Sequence, residues 1–299
     1  MSKGIRGGIK LSNGDQIFTT VNYTAMAIFA LLCVYPFYYC FMLAFNNGLA
    51  TMREIVWIWP NDFTLDNFKI VLKDGEITGA FGISVLRTVI GAASSVIFNS
   101  MVAYALASKE LKFRKVYITI GIITMYFSGG IIPTYILINS LGLINRFAVY
   151  ILVNLSYFFN IIIFMSFFRE IPKSLFEAAR MDGAGEFFIY RKIVMPISTP
   201  VIATIALFSG VYHWNSWIET YLYITKKSLY TMSAVLMSMI KQGLAAQLAK
   251  QAAGIDTGGF TENSIRLAAM VIAVTPILCI YPFLQKYFLK GIMIGAIKG

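Results

Sequence analysis

Charged residues fall along this chain in blocks, and the gaps between the blocks set its organisation. Stretches without Asp, Glu, Lys or Arg run 16–52, 88–108, 116–145, 147–168, 193–218 and 267–285. A helix needs about 20 predominantly apolar residues to cross the hydrocarbon core of a bilayer. Each gap is about that long, so the pattern predicts an all-α membrane protein with six transmembrane helices. Turn residues from Asn139 to Arg146 (N-S-L-G-L-I-N-R) divide the third span from the fourth. Gly129, Gly130, Pro133 and Thr134 allow a kink within the third span, and Pro36, Pro276 and Pro282 are expected to interrupt the first and last.

The polar blocks decide orientation. Lys3, Arg6 and Lys10 precede the first gap, and further clusters lie at 109–115, 169–192 and 286–298. These short segments hold most of the 25 Lys and Arg residues, and short basic loops stay on the cytoplasmic side. Both termini are therefore expected to be cytoplasmic, as is the loop from 170 to 196. Two longer loops then lie outside. The first, about 46–81, carries Trp57 and Trp59, which suit an interfacial aromatic belt, and a short amphipathic helix at 64–72 capped by Thr64. The second, about 225–263, is expected to hold helical pieces at 231–241 and 244–253 before the flexible Gly258 and Gly259.

Composition agrees with this placement. The chain has 299 residues, 58% hydrophobic and only 13% charged, about half the charged share of a soluble domain. A net charge of +11 in a soluble protein would point to nucleic acid. Here cytoplasmic loops and anionic membrane lipid account for it, and no basic–aromatic nucleic-acid platform is present. Cys33, Cys40 and Cys279 lie inside apolar runs, as small buried hydrophobes do. The first apolar run is too long for a signal-peptide core and reads as an uncleaved span.

One polar loop has clear helix grammar. After Pro172, Ser174 and Glu177 form an S-x-x-E capping box, and Ala178 and Ala179 offer a surface with little side chain. Gly183 follows Asp182 where a short helix would end in a left-handed residue. A second helical run from Glu186 to Met195 leads to Pro196, which suits the first turn of the next membrane helix.

Glu177, Ala178, Ala179, Gly183, Ile193 and Pro196 at this spacing resemble the E-A-A-x3-G-x9-I-x-L-P loop of importer-type ABC permeases. Met195 stands where that family usually has Leu, a swap that keeps volume and apolar character. The resemblance covers roughly residue 84 to the C-terminus. It implies the type I importer permease fold, with an N-terminal segment of 1–83 and a permease domain of 84–299 coupled through 170–196. It also implies a docking role for Ser174, Glu177, Ala178, Ala179, Asp182, Gly183, Ile193 and Pro196 against two cytoplasmic ATPase subunits. ATP and Mg would be bound by those subunits, and this chain would carry no cofactor. The remaining implied partners are a second, homologous permease, differing from this one, and an extracellular or periplasmic solute-binding protein.

Three further stretches look like the carbohydrate branch: W-N-S-W at 214–217, the start G-D-Q-I-F at 14–18, and the ending from Tyr287 to Gly299. They resemble permeases for complex oligosaccharides. The W-N-S-W stretch sits in the most polar part of the fifth span, where His213, Trp214, Asn215, Trp217 and Glu219 are candidates for the substrate path. Polar groups at membrane depth are costly unless they face the bundle or a cavity. Asn215 and Glu219, four apart, are expected on one helix face, and aromatic faces beside hydrogen-bonding groups suit sugar rings. The opposing reading puts His213 and Glu219 at the outer interface with no contact to solute.

Enzyme signatures are missing. There is no phosphate-binding G-x4-G-K-[ST] loop, a single histidine rules out multi-histidine metal sites, and no carboxylate pair lies within the spans. A secondary carrier driven by ions would want ionisable groups near the bilayer midplane, and the predicted spans have none. An ABC permease for a non-sugar solute and a scaffold that only docks partners stay open on composition.

Overall fold

A computed structural model describes residues 13–54, 56–73, 75–252 and 260–296. Gly258, Gly259 and the basic N-terminal segment Lys3–Lys10 lie outside them, as does Lys298 near the C-terminus. In chain order the helices are α1 Asn13–Ala44, α2 Gly48–Arg53, α3 Asp66–Lys73, α4 Gly75–Ala107, α5 Arg114–Tyr126 and α6 Ile131–Ser140. Then come α7 Ala148–Leu152, α8 Phe158–Glu170, α9 Lys173–Met181, α10 Glu186–Ile189 and α11 Met195–Ile197. The last four are α12 Thr199–Asn215, α13 Ile218–Tyr223, α14 Met232–Ala252 and α15 Phe260–Ala296. The all-α class predicted from the spacing of charges is what forms.

Two compact units are distinguished, residues 1–68 with 257–271, and residues 69–256 with 272–299. In the first, α1 presents apolar side chains around its whole circumference, Phe18, Phe29 and Leu32 among them. A helix apolar all round and uncovered is built for lipid. It runs straight through Pro36 without interruption, contrary to the expectation from sequence. Its C-terminal carbonyls are satisfied by a buried amide: Asn67 Nδ2 donates to the carbonyls of Ala44 (2.9 Å) and Asn46 (3.0 Å). Phe45 stacks between Phe63 and Phe68, and the Thr64 hydroxyl accepts from the Asp66 N–H at 3.1 Å, opening α3 where a cap was predicted. Trp57 and Trp59 are exposed, as an interfacial position requires.

The second unit is arranged around α4, which packs along α8 and α12. Val96, Ala103 and Leu106 of α4 meet Ile161, Phe164 and Phe168 of α8 and Val201 and Ile205 of α12. Small residues let these helices approach. A Cβ on Gly91 would lie 2.4 Å from the His213 ring, and one on Gly121 would lie 2.0 Å from the Phe158 ring. Some polar groups in the core are paired, while Thr88 Oγ1, Ser198 Oγ and His213 Nδ1 are buried without a hydrogen-bond partner. Asn99 donates to the carbonyls of Ser95 (2.6 Å) and Leu155 (3.1 Å), and its Oδ1 accepts the Tyr157 N–H at 3.1 Å. That single side chain satisfies the backbone where the chain breaks between α7 and α8.

Length and apolarity alone do not reproduce the expected count of six. Helices Gly14–Ala44, Gly75–Ala107 and Asn263–Ile280 are long and apolar enough to span alone, and two bent pairs bring the number to five at most among the described residues. The third predicted span is α5 and α6 with a 114° bend. Gly130, at φ 85, makes the turn, and Thr134 Oγ1 donates to its carbonyl at 2.7 Å. The fourth predicted span is the five-residue α7 and the 13-residue α8 rather than one helix. The fifth begins at Thr199, after an 84° bend at Ser198. Pro196 therefore opens the short α11 and not the spanning helix. Gly/Pro and Ser/Thr pairs locate such breaks, while hydropathy sees through them. In the second outer loop α14 is one continuous helix instead of two pieces, and α15 passes through Pro276 and Pro282 without a break.

Gly121→Ala is expected to lower the thermal midpoint of the purified protein. The new methyl overpacks the α5–α8 contact, a change costing about 1–3 kcal/mol. Phe158→Leu in the same chain should recover part of the loss in a thermal-shift series.

Candidate functional site

The polar loop forms the helix its grammar called for, with a different start. The N-cap of α9 is Pro172, whose carbonyl accepts the Leu175 N–H at 3.2 Å. Ser174 lies within the first turn and makes no capping bond, so the capping box with Glu177 does not form. Pro172 already turns the chain into the helix, at ψ 131, two residues before Ser174 would have done so. The other end closes as predicted. Gly183 has φ 79, its N–H reaches the Arg180 carbonyl at 3.0 Å, and Ala184 N–H reaches Ala179 at 2.9 Å. Those two bonds are the paired closure of a helix that ends in a left-handed residue. Of the two alanines only Ala178 is exposed. Ala179 is buried in the core with Ile189 and Val194, so it seats the helix. Glu177, Ala178, Met181 and Asp182 face outward.

Behind α9 the chain is bonded to the end of α4. Tyr104 donates to Glu186 Oε2 at 2.6 Å, and the Arg180 guanidinium reaches Glu186 at 2.9 Å and Glu110 at 3.3 Å. The Tyr104 hydrogen bond first, and then Arg180, hold the Glu186 carboxyl below the usual carboxylate range. Ser100 and Tyr190 share a buried hydrogen bond of 2.8 Å. Tyr190 opens a π-helical turn, Tyr190–Val194, between α10 and α11. Ile193 is half-buried against the same core, and Pro196 is exposed.

At the far end of α12 the five path candidates separate. The helix stops at Asn215, Ser216 is extended at ψ 125, and α13 starts at Ile218. Asn215 and Glu219 thus lie on two helices and share no face, which corrects the expectation from their spacing. Asn215 is exposed and Trp217 half-exposed. His213 is buried against Gly91, and Trp214 is buried with its Nε1 donating to the Ala273 carbonyl at 3.0 Å.

Glu219 is 3% exposed and sits in a dense polar network, in which Arg87 Nε alone lacks a hydrogen-bond partner. Arg87 Nη2 donates to Glu219 Oε2 at 2.9 Å, and Arg87 Nη1 donates to the Ser216 carbonyl at 2.8 Å. Ser216 Oγ donates to the same carboxylate. Asn154 Nδ2 (3.0 Å) and the Tyr212 hydroxyl (2.8 Å) donate to Glu219 Oε1. The Arg87 guanidinium also lies 4.5 Å over the Tyr150 ring, and the Tyr150 hydroxyl donates to the Leu229 carbonyl at 2.7 Å. Arg87 itself is fully buried within α4, so the larger unit contains a buried ionisable pair whose members stand just outside the charge-free gaps. Arg87, Asn154, Tyr150 and Tyr212 went unnoticed in sequence because the first predicted gap after the outer loop starts at residue 88. A lone arginine in the apolar run of 77–107 was the available signal.

Among the described residues no group of three His, Cys, Asp or Glu is placed to hold a metal ion. The arrangement has two ends: an exposed helix on a bonded base, and a pinned α12–α13 corner carrying aromatic groups.

Comparison with known proteins agrees with this architecture. The family model described as binding-protein-dependent transport system inner membrane component matches residues 10–294. A polygalacturonan/rhamnogalacturonan transport system permease protein of Bacillus subtilis (strain 168) is 35% identical over 95% of this chain and 99% of its own length. The melibiose/raffinose/stachyose import permease protein of the same organism is 30% identical over 81% of this chain and 84% of its own. Among solved structures, a chain of a bacterial ABC transporter involved in the import of the acidic polysaccharide alginate superimposes with a TM-score of 0.84. It is 28% identical and covers 94% of this chain and 100% of that one.

Removing one partner of the Arg87–Glu219 pair leaves a buried charge alone, at a cost of about 3–5 kcal/mol. Glu219→Leu and Arg87→Met are each expected to destabilise strongly, whereas the two together should recover most of the loss. Thermal unfolding of the four proteins in detergent closes the cycle, and additive single effects would show that the pair is not coupled.

Proposed function

This chain belongs to the binding-protein-dependent transport system inner membrane components, and on that premise we propose that it passes an oligosaccharide through an ATP-driven importer. It is a membrane transport component and not an enzyme. Membership implies an ATPase and a substrate-binding protein as partners. The carbohydrate assignment is supported by the relatives, whose names refer to polygalacturonan and rhamnogalacturonan, to melibiose, raffinose and stachyose, and to alginate, and by the W-N-S-W corner.

The observation that carries the reading is α9. It is a nine-residue helix whose inner side, at Ala179, is fixed in the core and whose outer side shows Glu177, Ala178 and Met181 to the surroundings. Ser174, Asp182 and Gly183 are exposed around it, while Ile193 and Pro196 belong to the stem beneath. In this reading α9 enters a groove of the ATPase, which holds ATP and Mg. The loop and both termini lie in the cytoplasm. The transport path is completed by a second, different permease, because a single chain of this kind supplies one wall. Exposed polar groups such as Asn215 then face the partner rather than lipid, where they would be unpaired at a cost of kcal/mol order.

Gly183→Val tests the coupling. A Cβ at Gly183 would meet nothing within 4 Å, so only the backbone at φ 79 resists the change. The left-handed conformation costs about 1–2 kcal/mol for such residues. ATP-dependent uptake in proteoliposomes should fall by about five- to thirtyfold, which one such penalty at the docking step provides, with assembly unchanged. Gly183→Asn should retain most of it. Normal uptake with valine would overturn the docking role.

A further expectation concerns the second permease. This chain co-expressed with the ATPase alone should yield no complex whose ATP hydrolysis rises with binding protein and sugar. An active complex of those two chains would establish a symmetric pair instead.

A further inference from the structure

The outer corner offers more than a hydrogen-bonded hinge. Glu219, Thr220 and Tyr223 of α13 are buried. Glu219 is tied to Arg87, and Thr220 Oγ1 shares hydrogen bonds with Tyr150 (2.9 Å) and Thr231 (3.1 Å). The opposite side of this short helix stays open, and Trp217 and Tyr221 stand there four residues apart, one turn along the same side. Trp217 is half-exposed and Tyr221 is 42% exposed. Their rings meet edge to face with centroids 5.4 Å apart.

A cation completes the group. Lys241 of α14 is exposed, and its Nζ lies 4.4 Å from the Tyr221 ring centre and 5.4 Å from that of Trp217. Among the described residues no carboxylate lies within ion-pair distance of it. Two aromatic faces and an ammonium group without a counter-charge are therefore held together on a surface whose underside is pinned. An aromatic face takes the C–H face of a pyranose, and an ammonium beside it takes an anionic substituent on the same ring. A neutral sugar offers the ammonium only hydroxyl acceptors, which bind it more weakly than a carboxylate does.

We propose that Trp217, Tyr221 and Lys241 form a contact site for a carboxylate-bearing saccharide, so that the imported oligosaccharide contains uronic acid residues. This rests on the proposed oligosaccharide import. The rings set the register of the chain as it passes, and Lys241 selects for the carboxylate. The contact is open and its ion pair exposed, so it acts as a passing station and not as a tight site. Screening by salt follows from the same exposure.

The test uses the full importer in proteoliposomes, with its ATPase, second permease and binding protein. The panel comprises oligogalacturonates and oligomannuronates alongside galacto-, arabino-, xylo- and malto-oligosaccharides. ATP-dependent uptake is expected for uronate-bearing members. Lys241→Gln should raise their half-saturation concentration by about fivefold, the effect of one exposed ion pair. Lys241→Arg keeps the charge and should keep uptake close to the parent, which separates charge from packing. Added salt should weaken uronate uptake by the parent protein more than by Lys241→Gln. ATP-driven uptake confined to neutral saccharides would overturn this inference and leave the import reading standing, as would uronate uptake indifferent to Lys241→Gln. Absence of ATP-driven uptake across the whole panel, in a complex that assembles, would overturn both.

Discussion

A guanidinium buried inside an apolar helix has to be met by a carboxylate, and the outer part of the larger unit is arranged to supply one. Arg87 is fully buried, and the carboxylate that meets it, Glu219, is 132 residues further along the chain. Bringing the two together requires α12 to end at Asn215 and α13 to start in a new direction. It also recruits Asn154 from the segment between α7 and α8 and Tyr212 from α12. The Ser216 carbonyl and the ring of Tyr150 meet the guanidinium on its other sides, while Arg87 Nε has no hydrogen-bond partner. Such a network costs more the less completely it is satisfied, because a partly satisfied buried pair is worse than an apolar one. Four segments are thereby placed by one charge.

How much of this was legible in the sequence depends on what kind of signal each feature leaves. The end of α9 was readable, since a left-handed residue after a short helix selects glycine, and Gly183 occupies that position at φ 79. Its start was misread because Ser174 is a good cap by type, while Pro172 acts earlier through its backbone. The spans were visible as charge-free gaps, but bends at 127–130, 153–157 and Ser198 leave little trace in hydropathy. Their cost is met by partners far away in sequence, as Asn99 does for Leu155 and Tyr157. Glu219 was rightly singled out as a polar group needing a reason. Its reason lay in a residue that a rule based on empty gaps had set aside.

The loop carrying α9 shows how an exposed helix is seated on an apolar chain. Ala179, Ile189 and Val194 enter the core, and Tyr104, Glu186, Arg180 and Glu110 bond the stem to the neighbouring helix end. Those ion pairs are exposed enough to contribute little to overall stability. What they provide is direction, because Glu186 is engaged from two sides at once by a phenol and a guanidinium. The residues left facing outward are small or charged near Ala178, with Met181 beside them.

α4 is 33 residues long, and no proline interrupts it. Arg87 anchors it to the α12–α13 corner, Asn99 to the entrance of α8, and Ser100 and Tyr104 to the stem of the loop. Seventeen residues of helix between the first and last of these span about 26 Å. An unbroken helix hardly stretches along its axis, so this one behaves as a connecting rod with a bearing at each end and one at midspan. A rod fastened in this way transmits a tilt or slide of the stem to the corner carrying the aromatic pair. No relay of side chains is needed to link the two ends, since they are fastened to the same piece.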